Sequence, residues 1–229
     1  MRQIRVFQIA LAVLAAPLSA QTATDVLAKV ADTYSHLTSC HFEGTRVTET
    51  KIASSASSQQ LGFVVAFAKP DKVRVEFSYG RGDVWVRTGD GTTFTRYRSA
   101  TKELSRKPET PGDFDVTDST FLQRYERINQ GVADAKIVSS ETLHVGGSDV
   151  DCDVVEVRYS GGSPFPGSER LPSRFWIDKA RYVVWREVSG SKAGTGHYIT
   201  ENTTTTNFTE ADVNHQVPLS LFAFEKNAK

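Results

Sequence analysis

Alternating apolar and polar positions dominate residues 61–107 of the chain. One run within this stretch carries four apolar side chains that alternate with polar ones: Val73, Val75, Phe77 and Tyr79. A period of two predicts a strand with one dry face and one wet face. Turn sequences punctuate the stretch at residues 69–72, 80–83 and 89–91. Short β-type runs joined by tight turns predict five strands in an antiparallel meander.

Two other segments show the apolar spacing of three and four that is typical of an amphipathic helix. The first, residues 22–38, carries the stripe Val26, Leu27, Val30, Tyr34 and Leu37. The second, residues 117–128, carries Phe121, Leu122, Tyr125 and Ile128. Thr22 with Asp25 three residues later resembles a capping box, which favours a helix start at this point.

The rest of the chain reads as further strands, for a total of about eleven strands and two helices, with no repeat and no domain break. This pattern predicts one mainly β domain over residues 21–229. Residues 53–58 are small and polar and are predicted to form a loop or a loose hairpin. Residues 160–172 and 190–196 are predicted to be loops because they are rich in Gly, with Pro and Ser in the first of them. Residues 217–225 are predicted to form the last strand. Of the loops, we expect residues 160–172 to border a ligand entrance together with the second helix, because Phe165 lies there between two prolines.

Residues 1–20 have the three-part pattern of a secretory signal peptide. Arg2 and Arg5 precede an apolar run over residues 6–16, and Ala20 ends the segment with a small side chain. The alternative is an uncleaved N-terminal anchor. We expect the mature protein to be soluble and exported. With 27 basic and 27 acidic side chains the formal net charge is zero, which gives no electrostatic support for nucleic acid as a partner.

The chain has two cysteines, Cys40 and Cys152. An exported protein meets an oxidising compartment, and two cysteines allow only one pairing, so a Cys40–Cys152 disulfide is predicted. The alternative is a pair of buried free thiols.

The chain contains no G-x-S-x-G, G-x-x-x-x-G-K-[ST] or H-E-x-x-H motif, so we expect a protein that is not an enzyme. The alternative is a hydrolase with an unrecognised site. His36, Cys40 and His41 are close in sequence, but neighbours on a strand point to opposite faces, and a zinc site needs three or four converging ligands. Asp149, Asp151 and Asp153 read as a solvated strand rather than a calcium site. No metal and no cofactor is therefore predicted.

Some strands are apolar on both faces, notably residues 63–67 and 182–185. A sheet with one wet face needs only one apolar set. A second dry face therefore indicates either a closed core between two layers or an apolar cavity that holds an acyl chain. The sequence leaves both alternatives open.

Three stretches, in this order, resemble the periplasmic lipoprotein-carrier (LolA/LolB-like) superfamily and its outer-membrane lipoprotein-sorting relatives. They are the aromatic strand that ends in the sequence KPDKVR at residues 69–74, the segment FWID at residues 175–178 with its returning strand, and the segment LFAF at residues 221–224. The resemblance spans most of residues 22–226. The cysteine pair and the polar first strand of the predicted sheet depart from the family pattern.

The resemblance implies an incomplete antiparallel β-barrel of about eleven strands, with two helices covering the open side and an apolar interior for acyl chains. The function implied is that of a monomeric periplasmic carrier of lipids or lipoproteins. The alternative is an envelope sensor or regulatory module on the same fold, which binds a protein partner. The resemblance also implies an arginine in the cavity, for which Arg46 and Arg74 are the two candidates. The candidate lipid-binding residues are Phe63, Val65, Phe67, Val73, Val75, Phe77, Tyr79, Phe165 and Trp176.

Overall fold

Twelve strands and two α-helices make up the part of the chain that the structure, a computed structural model, describes. The described residues are 21–110, 121–161, 167–195 and 198–224. The predicted signal peptide and Phe165 lie outside them. The elements are α1 (Ala23–Ser35), β1 (Ser39–Ile52), β2 (Ser55–Ala68), β3 (Lys72–Tyr79), β4 (Val84–Asp90), β5 (Thr93–Arg98), β6 (Glu103–Pro108), α2 (Leu122–Glu126), β7 (Val132–Val145), β8 (Ser148–Tyr159), β9 (Ser168–Arg170), β10 (Ser173–Asp178), β11 (Val184–Thr195) and β12 (Tyr198–Val213).

All twelve strands belong to one antiparallel sheet with the order β6-β5-β4-β3-β2-β1-β12-β11-β10-β8-β7, and the short β9 pairs with β11. The first strand and the last strand are neighbours at the centre, while β6 and β7 form the two edges. The edges do not pair with each other, so the barrel is incomplete. The predicted fold class is therefore confirmed, with twelve strands where the sequence indicated about eleven. In the described residues, no helix has both the length and the apolar character that a membrane crossing requires.

Both helices pack on one face of the sheet, which we call the inner face. Thr22 and Asp25 form the capping box that the sequence predicts, and α1 buries Leu27 and Val30 against the sheet. Tyr125 of α2 is fully buried beside α1, with its ring centroid 5.2 Å from that of Tyr34. The predicted second helix is shorter than expected, and its first residues, 117–120, lie outside the described part of the chain.

The outer face of β2 is covered by the C-terminal segment, residues 217–224. Phe222 packs with Ala66 and Val217 in a small second core. Arg74 donates a hydrogen bond to the carbonyl of Leu221, and Thr88 donates one to the carbonyl of Phe222. The two-sided apolar character of residues 63–67 therefore reflects two packed layers, the helices on one side and this segment on the other.

The predicted strand over residues 217–225 is wrong. Residues Leu219–Phe222 form a 3₁₀ helix, and the segment lies across the face of the sheet instead of pairing in it. The apolar residues of this segment pack onto the outer face of the sheet. The periodicity of a short apolar run does not distinguish such a segment from a strand. Pro218, which has no backbone N–H to donate, precedes this turn.

Residues 53–58, predicted as a loop or a loose hairpin, form the hairpin: residues 53 and 54 are its turn, and residues 55–58 begin β2 and pair with β1. The predicted loop over residues 190–196 is wrong over its described part, because residues 190–195 continue β11 between β12 and β9. Backbone hydrogen bonds hold these small and polar residues in the sheet whatever their side chains. A Cβ on Gly190 would lie 2.9 Å from the carbonyl oxygen of Asn202, so the glycine allows close strand approach rather than flexibility. Part of the predicted loop 160–172 is strand as well, namely β9.

The predicted Cys40–Cys152 disulfide is wrong in this structure, since both cysteines are buried free thiols. Cys40 lies on β1 and Cys152 on β8, and the strands β12, β11 and β10 separate them in the sheet order. Burial, followed by the charges of Asp178, Asp151 and Asp153, raises the pKa of the Cys152 thiol to about 12. Burial also raises the pKa of Cys40. Such thiols are unreactive at neutral pH.

Candidate functional site

Five of the predicted lipid-binding residues lie in the packed core beneath the helices. Each is at most 6% exposed: Phe63, Val65, Phe67, Val73 and Val75. The ring of Phe63 contacts the rings of Phe121 and Phe208, with 5.5 Å between centroids in both cases. These side chains are fixed among neighbours, as a closed core requires.

The inner face continues past the helices as an open aromatic surface. Phe77 and Tyr79 follow Val73 and Val75 along β3 at the period of two, so they share the inner face. Phe77 is half-buried and Tyr79 is 40% exposed. The inner-face side chains of β3 therefore pass from the buried core at Val73 to solvent at Tyr79.

These two residues line a pocket of about 730 Å³, which we call the aromatic pocket. Its lining residues are Phe77, Tyr79, Gly80, Arg81, Asp83, Trp85 and Arg98. Trp85 on β4 is the cross-strand partner of Phe77, and the two rings stack with centroids 5.7 Å apart and planes 10° from parallel. Both rings pack against the main core at the pocket floor. The size and the apolar floor are those of a small-molecule pocket.

Two arginines stand at the rim of the aromatic pocket. Arg98 lies 3.7 Å from the carboxylate of Asp83, with 57% of its side chain exposed. Arg81 is exposed in the tight turn Gly80–Gly82, where its φ of 74° places it in the left-handed region. The pocket therefore combines an apolar floor with a cationic rim, an arrangement that suits a ligand with an apolar chain and a negatively charged group.

Trp176 does not belong to this group. Its neighbours on β10, Phe175 and Ile177, point to the inner core, so Trp176 points to the outer face. There its indole N–H donates a 2.7 Å hydrogen bond to Glu141, and the guanidinium of Arg186 lies 5.2 Å from its ring. In a strand whose neighbouring residues are all apolar, the sequence does not show which side chains face inward. For this reason the sequence-based prediction placed Trp176 among the lipid-binding residues.

The two arginines considered for the family's cavity position lie on opposite faces. Arg46 is paired in register with Leu61 of β2 and with Thr206 of β12, and its Nε lies 3.4 Å from the Thr206 hydroxyl. Leu61 is in turn the cross-strand partner of Tyr79. Arg46 is thus the inner-face arginine, whereas Arg74 is bound to the C-terminal segment on the outer face.

A buried polar cluster fastens α2 to the inner face. The Tyr125 hydroxyl donates to Oε2 of Glu187 at 2.8 Å, and Arg124 pairs with Oε1 of the same carboxylate at 2.5 Å. Burial, followed by the charge of Glu187, raises the pKa of Tyr125 well above its usual value. Tyr125 therefore stays protonated as a donor. Sequence reasoning missed this cluster, because no local pattern links residues 62 positions apart.

No protein-family model matches the chain, and no curated protein matches it significantly. Solved structures do match, with low identity. One is a crystal structure of MucB (TM-score 0.44, 15% identity, 89% of this chain and 63% of that chain), a protein also matched in its complex with MucA from Pseudomonas aeruginosa. Another is a putative outer membrane lipoprotein-sorting protein domain from Vibrio parahaemolyticus (0.31, 11%, 87% and 95%). A third is a LolA superfamily protein from Nitrosomonas europaea (0.29, 11%, 90% and 99%).

The superfamily that the sequence resembles is thus represented among the matched structures. All of these TM-scores lie below 0.5, so the matches carry no conclusion about function, which depends on the site.

Proposed function

We propose that this protein is a periplasmic binding protein that holds the acyl chain of a lipid or lipoprotein in the aromatic pocket. The observation that carries the proposal is the open, apolar end of the inner face. Phe77 and Trp85 are partly exposed there and pack against the core, and the exposed Tyr79 lies with them in the pocket lining. Burying an acyl chain against them contributes about 0.8 kcal/mol per CH₂ group.

The charged rim favours an amphipathic ligand. Arg81 and Arg98 lie where the polar end of a bound chain meets solvent, and a guanidinium binds a carboxylate or phosphate with two parallel hydrogen bonds. The role of the protein is binding rather than catalysis. The pattern of residues 1–20 agrees with action in the periplasm.

The predicted set of lipid-binding residues divides under this proposal. Phe77 and Tyr79 contact the ligand directly, and Trp85, which the sequence did not single out, joins them. Phe63, Val65, Phe67, Val73 and Val75 hold the sheet and the helices together beneath the site. Trp176 does not take part, since it lies on the outer face.

The test is the lipid content of the protein. We expect protein purified from the envelope without detergent to yield, on organic extraction and mass spectrometry, close to one acyl lipid per chain. Phe77→Glu should lose this lipid, because it places a charge on the pocket floor. Val138→Glu, at an apolar side chain that is 41% exposed on the edge strand β7, should keep it. Lipid-free wild-type protein, or equal lipid in both variants, would refute the proposal.

A second candidate is a regulatory module that binds an envelope protein. The observation that favours it is the edge strand β7, which ends the sheet and exposes Ile137 and Val138. An extended peptide can add to such an edge through backbone hydrogen bonds. In this case Val138→Glu would abolish capture of the partner, and Phe77→Glu would not.

A further inference from the structure

A four-residue tile of metal-binding side chains lies on the outer face, away from the aromatic pocket. His41 and Glu43 come from β1, and Glu210 and Asp212 come from β12. The register pairs His41 directly with Asp212 and Glu43 directly with Glu210. Because residues two apart on a strand share a face, all four side chains project from the same surface.

His41 is held between two carboxylates of this tile. Its Nε2 lies 3.0 Å from Oε1 of Glu43, and its Nδ1 lies 2.9 Å from Oε1 of Glu210. One possible ligand atom from each of these three residues lies within 4.8 Å of the other two. Only 13% of the imidazole is exposed, whereas the two carboxylates are about half exposed at 41% and 43%. The ring is therefore positioned and partly shielded from solvent.

A pocket of about 550 Å³ opens on one side of this imidazole. His41, Glu210 and Asp212 line it from the sheet, and His215 lines it from the stretch between β12 and the C-terminal segment. Glu43 is not among the residues that line this pocket. The pocket lining therefore brings two imidazoles and two carboxylates together, and Nδ1 of His41 is the ring nitrogen that lies next to Glu210.

We propose that this pocket binds a divalent transition metal ion of the zinc type. Nδ1 of His41 and the carboxylate of Glu210 are the central ligands, and Asp212 and His215 complete a set of two imidazoles and two carboxylates. Zinc takes these nitrogen and oxygen donors in tetrahedral sites. Glu43 accepts the Nε2–H bond and fixes the tautomer that leaves Nδ1 free for the metal. Imidazole donors disfavour calcium and magnesium, which prefer oxygen ligands.

The local charge also favours a dication. On the tile, three carboxylates stand beside one imidazole. The nearest guanidinium in the pocket, that of Arg74, is bound to Glu76 at 2.5 Å and to the carbonyl of Leu221 at 3.1 Å. One imidazole can carry at most one positive charge, so His41 alone could offset only one of these three negative charges.

The metal would join two parts of the fold. His215 directly precedes the C-terminal segment, and Ser39 already donates a 2.7 Å hydrogen bond to the His215 carbonyl. A bound ion would fix residues 215–224 to β1 and β12. Metal binding should therefore slow opening of the C-terminal segment, in addition to stabilising the whole fold.

The experiment is a calorimetric titration of metal-stripped, untagged mature protein with Zn²⁺. We expect one ion per chain. His41→Ala, which removes a ligand, should weaken zinc binding by more than about 100-fold. Glu43→Ala, which removes the hydrogen-bond partner of that ligand, should weaken zinc binding by about 10–100-fold. His144→Ala is the matched control, since His144 forms a 2.9 Å pair with Asp149 on the surface, with both side chains about three-quarters exposed. It should leave the affinity unchanged. Glu210→Gln, which keeps the shape of the side chain, replaces His41→Ala if that variant does not fold.

Hydrogen exchange gives a second readout. Zinc should increase protection in residues 215–224 of the wild type, and the increase should disappear in Asp212→Asn. The proposal is overturned if zinc does not bind in a saturable way, or if folded His41→Ala or Glu210→Gln binds it like the wild type. Those results would identify the tile as a histidine that only forms hydrogen bonds with two carboxylates.

Discussion

Tyr125 of α2 donates a hydrogen bond to the buried carboxylate of Glu187 on β11, with 2.8 Å between the two oxygens. Arg124 pairs with the other oxygen of that carboxylate. The helix that covers the inner face is therefore held by a polar contact as well as by apolar packing. Because Glu187 is 3% exposed, the contact has little competition from water.

Removing this hydrogen bond should destabilise the protein. Tyr125→Phe leaves Glu187 buried with one donor fewer, which costs about 1–3 kcal/mol in free energy of unfolding. Urea denaturation measures the change. Tyr79→Phe, at a ring that is 40% exposed, is the control and should stay within about 0.5 kcal/mol of the wild type. Equal stability of both variants would show that the hydrogen bond does not hold the helix.

Part of this arrangement could be predicted from the sequence and part could not. The period of two along β3 correctly placed Phe77 and Tyr79 on the inner face, because alternation follows from strand geometry alone. The pairing of Tyr125 with Glu187 depends on which strand lies beneath α2, and local pattern carries no such information. For the same reason the sequence did not bring Glu210 to His41, which are 169 positions apart, since that contact needs the β1–β12 register.

The two cysteines should behave as buried thiols. A thiol reagent should find two free groups per chain in denaturant without reductant, and the native protein should react slowly, because burial raises both pKa values. Reductant should leave the thermal midpoint unchanged. Absence of thiols in the unfolded, unreduced protein would instead establish a disulfide.

Gly44 should not tolerate a side chain. It sits at the bulge where β1 shifts register against β12, and a Cβ there would lie 2.2 Å from the Asn207 carbonyl oxygen and 2.7 Å from the Phe63 ring. Gly44→Ala should cost about 1–3 kcal/mol through overpacking. Gly161→Ala, where a Cβ meets open space, is the matched control and should be nearly neutral in urea denaturation. A neutral Gly44→Ala would mean that the two strands can separate at the bulge without cost.

Asp178 should make stability depend on pH in the acid range. Burial opposes its ionisation, but hydrogen bonds from the Arg181 side chain and from the backbone N–H groups of Arg181 and Ala180 hold its pKa below the usual value. A lowered carboxyl pKa stabilises the fold above the unfolded-state value of about 3.9, and this contribution is lost as the pH falls through the folded-state value.

Asp178→Asn should therefore cost about 1–3 kcal/mol at pH 7, and the difference from the wild type should shrink below about pH 4. Urea denaturation at pH 7 and pH 3 measures both values. Asp149→Asn, at an exposed carboxylate, should change stability by less than about 0.5 kcal/mol at pH 7. A difference for Asp178→Asn that is constant with pH would show that the carboxylate charge does not contribute.

The most direct test of the proposed binding site uses the fluorescence of Trp85 with a long-chain fatty acid brominated along its chain. Bromine quenches tryptophan on contact, and of the three tryptophans only Trp85 lines the aromatic pocket. We predict saturable quenching that disappears in Trp85→Phe and in folded Phe77→Glu, and that persists in Val138→Glu. Quenching that survives Trp85→Phe, or a wild type that is not quenched, would contradict binding of an acyl chain in the aromatic pocket.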